Sequence, residues 1–354
     1  MLNKIEPKLL ESVSVLEDAN EIECLIKLRG KNDLAYIYNC KHCKDVVPLP
    51  FINTVAVSIN KNQIYKIAAL DYVKYISSNT KVFAQVSVAR KVVGVDSYKP
   101  ANLTDFSCAV IDTGLYPHLD FMNDGNRVLV FKDFVNDKTT IYDDNGHGTV
   151  VASVLAGSGL ISGMKYQGVD SKLKLVVIKA LDSTGETGAI TILKAMQWIL
   201  DNKKKYNIKI VCMSFGSNVL EKNDPLIMGA EILWNNGIVV VSACGNSGPE
   251  RQSIKSPSAS SKVISVGALD DGRNSAGEFN AINFSVADFS SRGPILNIYK
   301  PDVLASGVNI KSACNFNITK NFYTVTSGTS VATPIVAGVC SLLFRKYPHL
   351  KPNE

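Results

Sequence analysis

The chain has no run of about 18 uncharged apolar residues, so no membrane-spanning helix can be drawn in it. Met1 to Asn20 carries Lys4, Glu6, Lys8, Glu11, Glu17 and Asp18, which leaves no apolar stretch for a secretory signal. The eight cysteines are not spaced as a disulfide framework; Cys108, Cys212, Cys244 and Cys340 fall inside apolar patterns. Cys40-Lys41-His42-Cys43 is the one C-x-x-C pair, and without a second pair or nearby histidines it supplies no zinc set. These absences together point to a cytoplasmic location. Charge is also nearly balanced, with a formal net charge of +6 in 354 residues. The only basic run, Lys203-Lys204-Lys205, reads as a solvated helix C-terminus, so neither a nucleic acid nor a membrane is expected as a partner.

What is present is enough apolar material, 46% of residues, for a large core and a smaller module. Residues 21 to 76 read as a small α+β unit. Ile22 to Leu28 alternates as a strand, Asp33 to Cys40 suits a helix, and Val46 to Ile59 gives two strands broken near Pro48 and Pro50. Lys61 to Leu70 is helical and Tyr72 to Ile76 alternates again, a βαββαβ order of ferredoxin-like type. From Phe106 onward strands and helices alternate. Uninterrupted runs such as Leu175 to Ile178 and Ile238 to Val241 imply strands covered on both faces, hence a doubly wound, mainly parallel sheet. In such a sheet reactive groups belong at strand C-termini.

Three stretches carry chemistry. Val110-Ile111-Asp112-Thr113-Gly114 is an apolar strand ending in a carboxylate and a tight turn. Asn145-Gly146-His147-Gly148-Thr149 sets an imidazole between glycines at a helix start. Thr326 to Pro334 carries Ser330 into a long apolar helix, where backbone N–H groups and the helix dipole favour developing negative charge. Alone, Gly328-Thr329-Ser330 reads better as a helix cap. With a base and an orienting acid elsewhere in the chain it reads as a nucleophile. His118, close after Asp112, is a second candidate base, but it lacks the helix-start context of His147.

Asp112-Thr113-Gly114, His147-Gly148-Thr149 and Gly328-Thr329-Ser330-Val331-Ala332-Thr333-Pro334, in that order, resemble the three active-site motifs of the subtilisin-like serine proteases. The resemblance implies a Ser330, His147 and Asp112 triad, and it implies that Asn246 in Ser242 to Gly248 donates to the oxyanion. It also implies a substrate channel walled by Ser214-Phe215-Gly216 and Ala243-Cys244-Gly245. The family expects alanine where Cys244 stands. Val73 to Ile76 and Val82 to Gln85 resemble the end of the family's inhibitory prodomain, which implies a self-processing zymogen cut between Gln85 and Val86. The division is then a prodomain over 1–85, bound in the cleft of a catalytic domain over 86–354. Protein or peptide substrates are implied and no cofactor. Asp120 resembles a calcium ligand of the family, but Leu160 to Gln167 lacks the Asn and Asp oxygens usual in its secreted members, so calcium is not expected. Two rivals remain: a dedicated protease activating one partner zymogen, as in spore germination, and a catalytically silent scaffold.

Overall fold

In the computed structural model, the described residues are 4–14, 20–30, 43–79, 81–84, 105–122, 127–218, 223–272 and 284–354. The expected helix at Asp33 to Cys40, the C-x-x-C pair except Cys43, and the expected cut at Gln85 and Val86 lie outside them.

The first module begins with α1 (Pro7–Ser14) and β1 (Glu21–Leu28), followed by β2 (Lys44–Leu49) and β3 (Thr54–Asn60). It closes with α2 (Lys61–Ala68) and β4 (Val73–Ser78). Its four-stranded sheet runs β2-β3-β1-β4 with every neighbour antiparallel. Pro48 is tolerated because β2 is an edge strand, where a missing N–H costs no ladder bond. Asn60 starts α2 with a reciprocal cap, its side chain accepting from Gln63 N–H while the Gln63 side chain accepts from Asn60 N–H.

The alternation of β1 divides its side chains between two cores. Cys24, Ile26 and Leu28 pack with Leu9, Val13, Ile64 and Ile67 inside the module. Leu25, with Leu49, Ile52 and Ala56, joins the main core instead. Phe51 fits beside a helical glycine: a Cβ on Gly229 would stand 3.5 Å from the Phe51 ring and 2.6 Å from Met196 Sδ. Phe51 N–H donates to Gln197 Oε1 at 3.0 Å. Each buried aliphatic side chain at this seam contributes about 1.5–3 kcal/mol of transfer free energy as an upper bound.

After β5 (Lys81–Ala84) the core begins with β6 (Ser107–Asp112) and β7 (Val128–Asp133), then α3 (His147–Ala156) and β8 (Lys174–Lys179). Next come β9 (Glu186–Gly188), α4 (Ala189–Asn202), β10 (Ile208–Met213) and β11 (Phe215–Ser217). They are followed by α5 (Pro225–Asn235), β12 (Val239–Ala243), β13 (Ile264–Asp270) and β14 (Ser285–Val286). The chain ends through β15 (Val303–Ser306), the hairpin β16 (Ile310–Ala313) with β17 (Tyr323–Thr326), and α6 (Thr329–Lys346).

Among the described residues the large sheet has eight strands in the order β14-β13-β12-β10-β6-β8-β7, with β15 also on β13. All its pairs are parallel except β13 with β14. Strands β6 and β12 are buried at every position, as the Val/Ile runs require. The helices form two packed pairs, α3 with α6 and α4 with α5, and both pairs touch the sheet. Strands β6, β10 and β12 end side by side, and there the chain turns into the Asp112-Thr113-Gly114 motif and the two expected wall segments, Ser214-Phe215-Gly216 and Ala243-Cys244-Gly245. No helix of the described residues is long and apolar enough to cross a membrane, and the described cysteines are all free thiols.

Candidate active site

Asp112 ends β6, and its carbonyl accepts from Ala180 and Leu181 N–H at 2.9 and 3.2 Å, which fixes the strand end. The carboxylate is buried; Oδ1 accepts from Thr113 N–H at 2.7 Å and meets His147 Nδ1 at 2.5 Å. Two glycines permit this approach. A Cβ on Gly148 would lie 2.2 Å from Gly114 O, and Gly114 itself has φ +123° with its Cβ position 2.2 Å from Tyr142 O. The glycines flanking the motif residues are therefore the places where one backbone rests on another.

Asp143, which the sequence reading did not single out, organises the same corner. The helix start Gly146 has no side chain to cap α3, so Asp143 supplies the acceptor. Its Oδ1 accepts from Thr113 Oγ1 at 2.9 Å and Gly146 N–H at 2.8 Å; its Oδ2 accepts from Thr149 N–H at 2.9 Å and Thr149 Oγ1 at 2.6 Å. Lys179, fully buried at the end of β8, donates to Thr113 O at 2.7 Å, Leu181 O at 3.0 Å and Asp144 Oδ1 at 2.6 Å. The Asp112 loop and the His147 helix are thus tied by one polar network whose groups are hydrogen-bonded to each other.

Ser330 is fully buried in the first turn of α6, and its hydroxyl has no hydrogen-bond partner among the described residues. Pro334 lies four residues on, inside the helix, and cannot donate to the Ser330 carbonyl. Ser214 fills that vacancy, its Oγ donating to Ser330 O at 2.5 Å. One residue back, Thr329 N–H and Oγ1 both donate to Asn246 Oδ1, at 2.9 and 2.8 Å. With the oxygen so engaged, the Asn246 amide nitrogen faces away from Thr329.

Beside Ser330 lies a cavity of about 170 Å³ lined by Ser214, Phe215, Gly216, Asn218, Ala243, Gly245, Asn246, Ser247 and Lys255. Of the six expected wall residues, five line it. Cys244 is the correction: strand alternation turns its side chain the other way, into a cluster with Ile227, Ile254 and Ala259, and its Sγ donates to Ser291 O at 3.4 Å. Burial pushes this thiol up to about 12, so it is a packed hydrophobe and contributes only backbone to the wall. A second cavity of about 350 Å³ opens beside His147, between Gly185 and Asn315.

β5 is the middle strand of a three-stranded sheet, β11-β5-β9. Ala84 pairs with Phe215, Phe83 with Gly216 and Val82 with Ser217; on the other side Lys81, Val82 and Phe83 pair with Gly188, Thr187 and Glu186. Both pairings are antiparallel and involve main chain alone.

His118 belongs to a different constellation. Its Nδ1 accepts from Asp120 N–H at 3.2 Å, and its ring stands edge-on to Phe322 and Tyr323. Asp120 accepts from Tyr323 OH at 2.9 Å through Oδ2 and from Ile161 N–H at 3.3 Å through Oδ1. Its carboxylate is occupied by these hydrogen-bond donors.

The profile of the subtilase family matches residues 104–354. Serine protease AprX of Bacillus subtilis is 41% identical over 265 residues, which are 70% of this chain and 58% of that protein, so the chain spans little more than half its length. A thermostable alkaline protease of Halalkalibacterium halodurans is 30% identical over 86% of this chain and 75% of its own. Two solved structures share the fold with TM-scores of 0.70 over 95% of this chain. They are fervidolysin from Fervidobacterium pennivorans, 22% identical with 57% of its chain covered, and the epidermin leader peptide processing serine protease from Staphylococcus aureus, 20% identical with 91% covered. The chain belongs to the subtilase family.

Proposed function

We propose that this chain is a serine endopeptidase in which Ser330, His147 and Asp112 act as one unit. Ser330 Oγ attacks the scissile carbonyl as its proton passes to the His147 ring; the tetrahedral oxyanion forms and collapses, and the leaving amine takes the proton from His147. Water then enters, gives its proton to His147 and releases the acid by the same steps reversed. Asp112 holds the imidazole by Nδ1 and stabilises its cation. Asn246, oriented by Thr329, and the Ser330 N–H at the start of α6 bind the oxyanion. The observation that carries this reading is the 2.5 Å contact of His147 Nδ1 with the buried Asp112 carboxylate. A silent scaffold would have no need to keep that contact.

In the same reading residues 1–85 are a prodomain and 86–354 the catalytic domain, with self-cleavage after Gln85. The backbone pairing of Lys81–Ala84 with β11 and β9 supports it, because an extended segment held there has the direction and hydrogen bonding of a bound substrate. The same pairing favours a second reading, that of a processing protease whose cleft opens for one partner zymogen, since any other substrate must first displace residues 81–84. Intact mass of wild type beside Ser330→Ala separates the proposal from its rivals. A cut after Gln85 in the wild type alone is the expected result; an uncut wild type overturns self-processing.

A further inference from the structure

Five of the nine residues that line the cavity beside Ser330 are Gly, Ala or Ser, and among the nine Lys255 is the one long flexible side chain. A Cβ on Gly216 would lie 2.6 Å from Lys255 Cβ, and a Cβ on Gly245 would lie 2.5 Å from Lys255 Cγ. The Lys255 stem therefore occupies the space that the two glycines leave. Its root is fixed. Lys255 N–H donates to Cys244 O at 2.9 Å, and the next residue, Ser256, exchanges backbone bonds with Ser217, N to O, at 3.2 and 2.9 Å. Only the outer part of the stem and the ammonium can adjust.

That ammonium has a neutral partner, donating to Asn218 Oδ1 at 2.7 Å. Among the described residues that line the cavity, Lys255 is the one ionisable group. Burial holds its pKa below the ordinary lysine range. An ammonium has three donors, so donors remain for a ligand. A carboxylate brought into the cavity would pair with this half-buried charge; a second cation would meet it at close range. A bulky ring would compete for the volume that the lysine stem fills.

We propose that Lys255 determines specificity in this pocket, and that the pocket takes an acidic side chain, glutamate foremost, on the acyl side of the cleaved bond. The inference rests on the serine protease reading given above. Gln85, the residue proposed to precede the self-cleavage, is the neutral isostere of glutamate, and its side-chain carbonyl can accept from an ammonium. An intramolecular site tolerates such a weaker match because its effective concentration is high.

The test is kcat/KM of the purified full-length wild type, Lys255→Met and Lys255→Glu on peptides that differ only at the residue before the cut, set to Glu, Gln, Leu or Lys. The wild type is expected to favour Glu over Lys by about 10²-fold. Lys255→Met keeps the stem, and its Glu-to-Lys ratio should collapse toward unity, while Lys255→Glu should invert the ratio. A merely structural lysine would lower all four substrates together and leave each ratio intact, which overturns the proposal. So does a wild type that favours Leu or Lys. Ser330→Ala run beside them separates the two levels: hydrolysis that persists there overturns the serine mechanism and this inference with it. Hydrolysis that Ser330→Ala abolishes, but that is indifferent to the charge before the cut, overturns the role of Lys255 alone.

Discussion

Two histidine–aspartate pairs are buried in this chain, and they differ in what each leaves available. At His147 and Asp112 the side chains meet at 2.5 Å, the histidine opens a helix, and a cavity of about 350 Å³ lies against it. At His118 and Asp120 the corresponding atoms are 3.6 Å apart, the carboxylate is engaged by Tyr323, and aromatic rings flank the imidazole. The residue types are the same, but only the first pair stands at the end of a central strand, with its histidine at a helix start. The second pair is instead enclosed by the rings of Phe322 and Tyr323 and bound by the Tyr323 hydroxyl.

Breaking the first pair should produce the largest effect. His147→Ala should lower kcat by roughly 10⁶-fold, the established scale for losing a triad histidine in subtilisin, with little change in the thermal unfolding midpoint. Steady-state hydrolysis and calorimetry on the same preparation check it.

The second pair should register in stability instead, and by a smaller amount. Burial holds His118 less basic than an exposed histidine, against the opposing pull of Asp120. Protons therefore bind the unfolded chain first as pH falls through its ordinary value of about 6.5. The stabilising contribution is whole above that value and is lost below it, so the unfolding midpoint should drop between pH 7.5 and pH 5.5. His118→Asn, which keeps a side-chain acceptor for Asp120 N–H, should flatten that drop without changing the ratio of kcat values between substrates.

The first pair was legible in the sequence because its requirements are local. A carboxylate at the end of an apolar run, an imidazole between glycines and a serine ahead of a long helix each appear within a few residues. Parallel strands were legible for the same reason, as unbroken Val/Ile runs. What stayed hidden depends on partners far apart in the chain. Ser214 matters because Pro334, on another element, leaves a carbonyl unsatisfied. Asp143 reads as an ordinary loop residue until Gly146 is seen to lack a cap. Glu186–Gly188 has no apolar signal and becomes a strand only by pairing with Lys81–Ala84. Lys255 enters the pocket through a segment with no strand or helix pattern, and its reach across Gly216 and Gly245 is a tertiary fact. The side-chain direction of Cys244, by contrast, was within reach, since alternation from Ala243 already turns it to the opposite face.

The central claim is that Ser330 is the nucleophile activated by His147. The most direct measurement is peptide mapping after exposure to a fluorophosphonate, which phosphonylates an activated serine with loss of fluoride. The account predicts a stoichiometric adduct on Ser330 in the wild type and a strongly slowed reaction in His147→Ala. An adduct on another residue, or equal labelling of the two proteins, would contradict it.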